Sequence, residues 1–181
     1  MYAILDIEAT GGKVGEESII EIAIYKYDGK EIVDQFISLV NPQKKIDHFV
    51  QKLTHITDKM VLTAPKFHEI AKRIVEITED CVLVGHNVMF DYRMLIQEFN
   101  RLGYNFEKEW IDTFEYSEQL IPGLPSYSLG KLCDSLGIII TDRHRASGDA
   151  RATISLFKLL LDKDAKKIIT KKTGLKQPKK A

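Results

Sequence analysis

Apolar positions open with a short run over residues 2–7, which predicts a buried strand containing Asp6 near its end. After a Gly-containing loop, residues 18–27 alternate, with Ile20, Ile22 and Ile24 assigned to one face and Glu21, Ala23 and Tyr25 to the other. Asp28-Gly29 predicts a two-residue hairpin turn at positive φ, and residues 31–40 return as a third strand before Asn41-Pro42. The period then lengthens. Phe67, Ile70, Ala71, Ile74 and Ile77 recur at helical spacing, with Thr63 and Pro65 where that helix would begin. CVLVG at 81–85 is apolar throughout, as a central parallel strand with two covered faces requires. Tyr92, Leu95, Ile96, Phe99 and Leu102 predict a second helix, and a short strand follows around Trp110 to Thr113. A third helix near 128–136 buries Leu129, Leu132, Cys133 and Leu136, and a fourth from about 148 buries Ala150, Thr153, Ile154, Phe157 and Leu161. Three meandering strands followed by strand-helix alternation predict an α/β layer fold with a mixed sheet.

Composition places this pattern in a single folded unit. A chain of 181 residues is large enough to bury about 70% of the surface its unfolded form exposes. Cys81 and Cys133 sit inside apolar stretches and read as small buried hydrophobes of a reducing compartment, too few to build a zinc site alone. Asp6 and Glu8 interrupt the apolar opening, so no signal peptide is expected there, and no run approaches the roughly 18 apolar residues of a membrane span. The expectation is a cytoplasmic protein. Its 26 basic and 26 acidic residues cancel, which argues against a polybasic coat. The balance is uneven, because seven lysines and no acid follow Asp164, leaving positions 1–164 at −7 and the end at +7. The Lys-rich tail at 163–181 is expected to be partly disordered, although Ile168-Ile169 can extend the last helix by a turn. As a phosphate tether it would be salt-sensitive; as a solvated solubility tail it would not.

Three segments carry acids where an apolar strand or a loop gains nothing from them. In DIEATG, Asp6 and Glu8 are two apart on a strand, so their carboxylates share a face and repel unless a proton or cation lies between them. GHNVMFD follows the buried strand at its carboxyl end, where open α/β sheets place ligands. Asp91 there also suits the dipole of the next helix, and His86 and Asn87 also suit a turn. In HRASGDA, Asp149 opens the last helix, where a dipole role competes, and His144 lies in a loop between Arg143 and Arg145. Four carboxylates without cysteine suit hard Mg²⁺ or Mn²⁺, and as a two-metal site they suit in-line phosphoryl displacement. A histidine near its ordinary pKa is then a natural base toward the attacking water.

DIEATG, HNVMFD and HRASGDA resemble the three motifs of the DEDDh-type 3′→5′ exonucleases, a family that includes the proofreading epsilon subunit of bacterial DNA polymerase III, ribonuclease T and oligoribonuclease. The likeness runs from about residue 2 to 161, and VNP at 40–42, THITDKMV, Asp112-Thr113 and YSLGKLC resemble the epsilon-like branch. It implies a ribonuclease H-like fold with a five-stranded mixed sheet flanked by helices, and an exonuclease domain over 1–162 ahead of the tail. It implies that Asp6, Glu8, Asp91 and Asp149 hold two Mg²⁺ or Mn²⁺ ions and that His144 deprotonates the attacking water. It further implies that Ala9 and Thr10 contact the terminal nucleotide. Ala9 stands where the family usually has a threonine, and His55, where relatives often carry glycine, reads either as a contact to the same nucleotide or as a plain surface loop residue. Phe90, Tyr92 and Tyr127 are nearby aromatics, of which Tyr92 has core spacing. The implied activity is release of nucleoside 5′-monophosphates from single-stranded or frayed DNA 3′ ends, in proofreading or repair, with a polymerase subunit as a partner in trans. The alternatives are an RNA 3′-end exonuclease of the ribonuclease T and oligoribonuclease kind, or a non-catalytic polymerase-docking module.

Overall fold

The computed structural model describes residues 1–169. Its sheet has five strands in the order β3-β2-β1-β4-β5, formed by Tyr2–Ala9 (β1), Ile19–Tyr27 (β2), Ile32–Leu39 (β3), Val82–Gly85 (β4) and Trp110–Asp112 (β5). The first three pair antiparallel, and β4 and β5 add in parallel. This is the mixed sheet the apolar pattern predicts.

Among the described residues seven helices are set between and after the strands: α1 (His48–Thr54), α2 (Asp58–Val61) and α3 (Phe67–Ile77) before β4, α4 (Val88–Arg101) before β5, and α5 (Thr113–Leu120), α6 (Leu129–Leu136) and α7 (Ala146–Lys163) after it. Alternation along the strands splits the core in two. Ile4, Ala23, Tyr25, Val82 and Val84 face α5, α6 and α7, while Leu5, Ile22, Ile24 and Leu83 face α3 and α4. Phe157 of α7 is fully buried and meets the Tyr2 ring edge-on at 4.9 Å, a burial that stabilises by about 1.5–3 kcal/mol. The same alternation carries Asp6 and Glu8 onto the α7 side, since they share parity with Ile4.

Several local expectations change. Tyr27 pairs with Ile32, so residues 28–31 form a four-residue loop rather than a two-residue turn. Its shape is set by the Asp28 carboxylate, which accepts from the N–H groups of Lys30 (2.7 Å) and Glu31 (2.8 Å), with Gly29 at φ 103°. Ile20 packs with Ile46, Ile56 and Val61 in a separate cluster rather than with Ile22 and Ile24. On α4 the buried face holds Val88, Met94, Leu95 and Phe99, and Leu102 is exposed. Helix α3 starts at Phe67, where Lys66 N–H donates to Glu69 at 2.7 Å, two residues beyond Pro65. The last helix stops at Lys163, and Asp164 accepts from the N–H groups of Ile168 (2.7 Å) and Ile169 (2.9 Å), so that pair begins a separate turn. The Gly174 to Pro178 stretch and most of the Lys-rich tail lie outside the described residues.

β4 accompanies β1 only over Tyr2 to Ile4, so the carboxyl half of β1 has no strand on that side. The first turn of α4 follows β4 directly, and Gly85 permits its close approach, because a Cβ there would stand 3.0 Å from a Val88 methyl. On the far side, Gly148 in the first turn of α7 lets the preceding loop pass over the helix. A Cβ on it would overlap the carbonyl oxygens of Thr141 and Asp142. We expect Gly148→Ala to destabilise by about 1–3 kcal/mol by urea denaturation, despite the better helix propensity of alanine. A stability at or above wild type would show that the loop has room to give.

Candidate active site

The acidic cluster forms where the carboxyl half of β1 meets the first turns of α4 and α7. Ligand atoms of Asp6, Glu8 and Asp149 all lie within 4.8 Å of one another. Asp91, buried on α4, stands outside that trio, but its charge is the strongest neighbouring influence on Asp6. The four acids of the three segments therefore converge, from residues as far apart as Asp6 and Asp149.

Their protonation follows from crowding. Burial, then the charges of Asp91, Glu8 and Asp149, hold the Asp6 carboxyl well above the usual range, with Arg143 opposing. Burial and the charges of Asp149 and Glu21 push Glu8 up to about 8. Burial also holds Asp91 well above an ordinary aspartate. Among the described residues, Asp91 Oδ1 and Asp149 Oδ1 are the two buried side-chain oxygens without a hydrogen-bond partner, where proteins satisfy almost all such atoms. Clustered, hard, unsatisfied oxygens fit a divalent Mg²⁺ or Mn²⁺ ion.

A pH dependence of stability follows for the metal-free chain. Between pH about 4.5 and about 8 the folded state retains a proton on Glu8 that the unfolded chain has released, so stability is lost as pH rises through that window. Asp6 and Asp91 act in the same direction. Burial holds His86 and His144 below 6.5, and these add stability only as pH climbs toward that value. The decline is therefore clean between pH 7 and 8. Thermal denaturation in chelator should show a falling midpoint over that interval, and added Mn²⁺ should raise it. A midpoint that climbs from pH 7 to 8 in chelator would contradict the raised carboxyls.

The loop bearing His144 is anchored by residues the motif reading left aside. Glu21, buried on β2 and directly opposite Glu8, accepts from Arg145 Nη2 at 2.6 Å and Nε at 3.0 Å, and from the Ala146 N–H at 2.8 Å. Arg143 donates to Asp149 Oδ2 at 2.5 Å, and the His144 N–H approaches the same oxygen at 3.3 Å. His144 itself has φ 63°, an uncommon left-handed conformation imposed between these two anchored arginines. Its imidazole is held below its ordinary pKa by partial burial and by Arg143, so the neutral, proton-accepting form prevails at pH 7. The signal for Glu21 was present as an acid inside an apolar strand, the same irregularity that marked Asp6.

His86 and Asn87 have structural partners. His86 Nε2 donates to Tyr127 O at 2.7 Å, and Nδ1 lies 2.9 Å from the Thr113 hydroxyl. Asn87, at φ 60°, donates its N–H to Asp112 Oδ1, which also accepts from Phe114 N–H and so caps α5. Together they tie the end of β4 to α5.

Of the expected nucleotide contacts, Ala9 and Thr10 directly follow Glu8 in the chain. Ala9 ends β1, and Thr10 follows, its hydroxyl bonded to Gly11 O and Ser18 N–H and its carbonyl accepting from Asp47 N–H at 2.8 Å. Thr10 also borders a cleft of about 300 Å³ with Gly11, Gly12, Lys44 and Asp47. His55 is exposed at the opposite end of α1, roughly 10 Å along that helix, at φ 59°. That left-handed cap explains why glycine suits the position. Of the aromatics, Phe90 is exposed under Arg93, at 5.4 Å, while Tyr92 accepts from Lys108 N–H and Tyr127 hydrogen-bonds Ile121 O.

Comparison with known proteins agrees with this geometry. Residues 3–157 match the RNase_T family model, described as an exonuclease. The chain is 37% identical over 162 residues to a PolC-type DNA polymerase III of Caldanaerobacter subterraneus, covering 90% of this chain and 12% of that one. It is 34% identical over 163 residues to the 3′-5′ exonuclease DinG of Staphylococcus aureus, covering 90% and 18% respectively. The chain thus spans less than a fifth of these relatives. Among solved structures, exonuclease X in complex with 5′ overhanging duplex DNA superposes with a TM-score of 0.74 at 26% identity, over 91% of this chain and 93% of that one. The nuclease domain of 3′hExo, a DEDDh family member bound to rAMP, shares the fold with a TM-score of 0.79 at 20% identity, over 90% and 92%. The five-stranded mixed sheet is therefore the ribonuclease H-like architecture that the motifs implied. With a family match running through all three acidic segments, the chain belongs to the RNase_T exonuclease family.

Proposed function

We propose that the chain is a divalent-cation-dependent 3′→5′ exonuclease that removes nucleoside 5′-monophosphates from single-stranded or frayed DNA ends. The observation that carries this reading is the convergence of Asp6, Glu8 and Asp149 within 4.8 Å, with Asp91 coupled to them electrostatically. These four residues would hold two Mg²⁺ or Mn²⁺ ions. When bound, such ions supply Lewis acidity and positive charge for in-line displacement at phosphorus.

The chain's own groups account for the rest. The neutral His144 ring accepts the proton of the attacking water, and the Glu21-Arg145 anchor keeps its loop against the site. Ala9 and Thr10 border the terminal nucleotide, and His55 lies at the far end of the adjoining helix. The 3′→5′ direction and the DNA preference are supported by the DinG and PolC-type relatives and by the exonuclease X complex. The PolC-type relative also supports a polymerase subunit as partner. No helix among the described residues is long and apolar enough to cross a membrane.

Matched DNA and RNA oligonucleotides labelled at either end provide the test. Mononucleotide release from 3′-labelled DNA, dependent on Mn²⁺ or Mg²⁺ and abolished by chelator, is the expected result. Faster RNA degradation would move the assignment to an RNA 3′-end exonuclease. No degradation of either substrate, together with no cation binding, would leave a docking module.

A further inference from the structure

Arg143 is the cation that faces the acidic cluster most directly. Its guanidinium is 2.5 Å from Asp149 Oδ2, and its charge opposes the proton affinity of both Asp6 and Glu8. Arg145, the other arginine of the loop, is committed to Glu21. The Arg143 side chain is 36% exposed, against 6% for Asp149, so it reaches the cluster from solvent. Its path crosses Gly130 of α6, where a Cβ would meet Arg143 Nε at 3.3 Å. Beyond Gly130 the same guanidinium borders an open cavity of about 530 Å³ that is also lined by Asp134, one helical turn further along α6.

A divalent ion on the unpartnered Asp149 Oδ1 would stand one carboxylate away from the guanidinium on Oδ2, close enough for the two positive charges to repel. We propose that Arg143 is an internal counter-ion that occupies Asp149 in the metal-free protein and is displaced toward Asp134 and the adjoining cavity when a divalent cation loads. The role is one of positioning, and it rests on the cation-binding reading of the acidic cluster. Displacement leaves the fold of the loop intact, because Glu21 holds Arg145 and the Ala146 N–H independently of Arg143. The exchange also keeps the metal-free cluster from carrying its full repulsion.

The sign of one mutation separates this role from a structural one. If Arg143 only braced Asp149, its loss would misplace a ligand and weaken cation binding. If it competes with the cation, its loss tightens binding. Calorimetric titration of the full chain with Mn²⁺ alone, at pH 7.5, should show Arg143→Gln binding about tenfold more tightly than wild type, a difference of about 1.4 kcal/mol. Arg143→Lys, which restores the charge, should return the affinity toward wild type. Unchanged or weaker binding by Arg143→Gln, in a protein whose wild type does bind Mn²⁺, overturns the counter-ion role and leaves the active-site reading standing. Absence of Mn²⁺ binding in wild type and all variants overturns both.

Discussion

Asp6→Asn should reduce mononucleotide release from a 3′-labelled DNA strand by roughly a thousandfold or more, the effect of removing several kcal/mol of charge stabilisation from a phosphoryl displacement. Asp6 feels the charges of Asp91, Glu8 and Asp149 together. The substitution is nearly isosteric, so it removes a carboxylate and little else. The metal-free protein should respond in the opposite sense. Because Asp6 resists ionisation, an amide in its place relieves repulsion, and the thermal midpoint in chelator at pH 8 should equal or exceed that of wild type. Activity lost with stability retained identifies a functional acid. Undiminished release would refute the assignment, and loss of both properties would make Asp6 a structural residue.

Glu21→Ala is expected to have the largest effect on stability. Glu21 is 3% exposed and receives both the Arg145 guanidinium and the Ala146 N–H, so truncation strands a partly buried cation and an unpaired amide. Breaking such a pair from one side costs about 3–5 kcal/mol, and partial exposure of Arg145 favours the lower end. Urea denaturation measures this, and a loss under about 1 kcal/mol would show that water replaces the pair. A double-mutant cycle with Arg145→Ala should return a large coupling energy. The substitution should also slow catalysis, since His144 and Asp149 flank the segment that Glu21 holds. Its chemistry reaches across the sheet as well. Glu21 is paired in register with Glu8 and raises its pKa, so Glu21→Gln should lower the pH at which Glu8 ionises.

The contrast between Asp6 and Glu21 shows where local pattern ceases to inform. Both are acids inside apolar strands of the same sheet. Asp6 belongs to a short segment whose neighbours at positions 8 to 11 complete a motif, so its role is legible at close range. Glu21 has no local motif, and its partners lie 124 and 125 positions away. Helices α1, α2 and α5 were equally hard to foresee. They are short, and α1 is capped by Asp47 while leaving Phe49 exposed, so it lacks the apolar stripe that marks longer helices.

By itself the sequence determined the order of the five strands and of helices α3, α4, α6 and α7, the mixed sheet and the three acidic segments. Each of these depends on period, turn residues or side-chain type within a few positions, and those are properties of the local chain. Tertiary structure alone decided that Glu21 would hold Arg145, that Arg143 would lie on Asp149, and that Asp91 Oδ1 and Asp149 Oδ1 would be buried without partners. It also turned the predicted two-residue hairpin into a four-residue loop, where the strand register shifts between Lys26 and Tyr27 and the Asp28 carboxylate takes up the N–H groups of Lys30 and Glu31. Ion pairing and burial depend on which strand end meets which loop in space, and the chain reveals that only after its two layers close on the sheet.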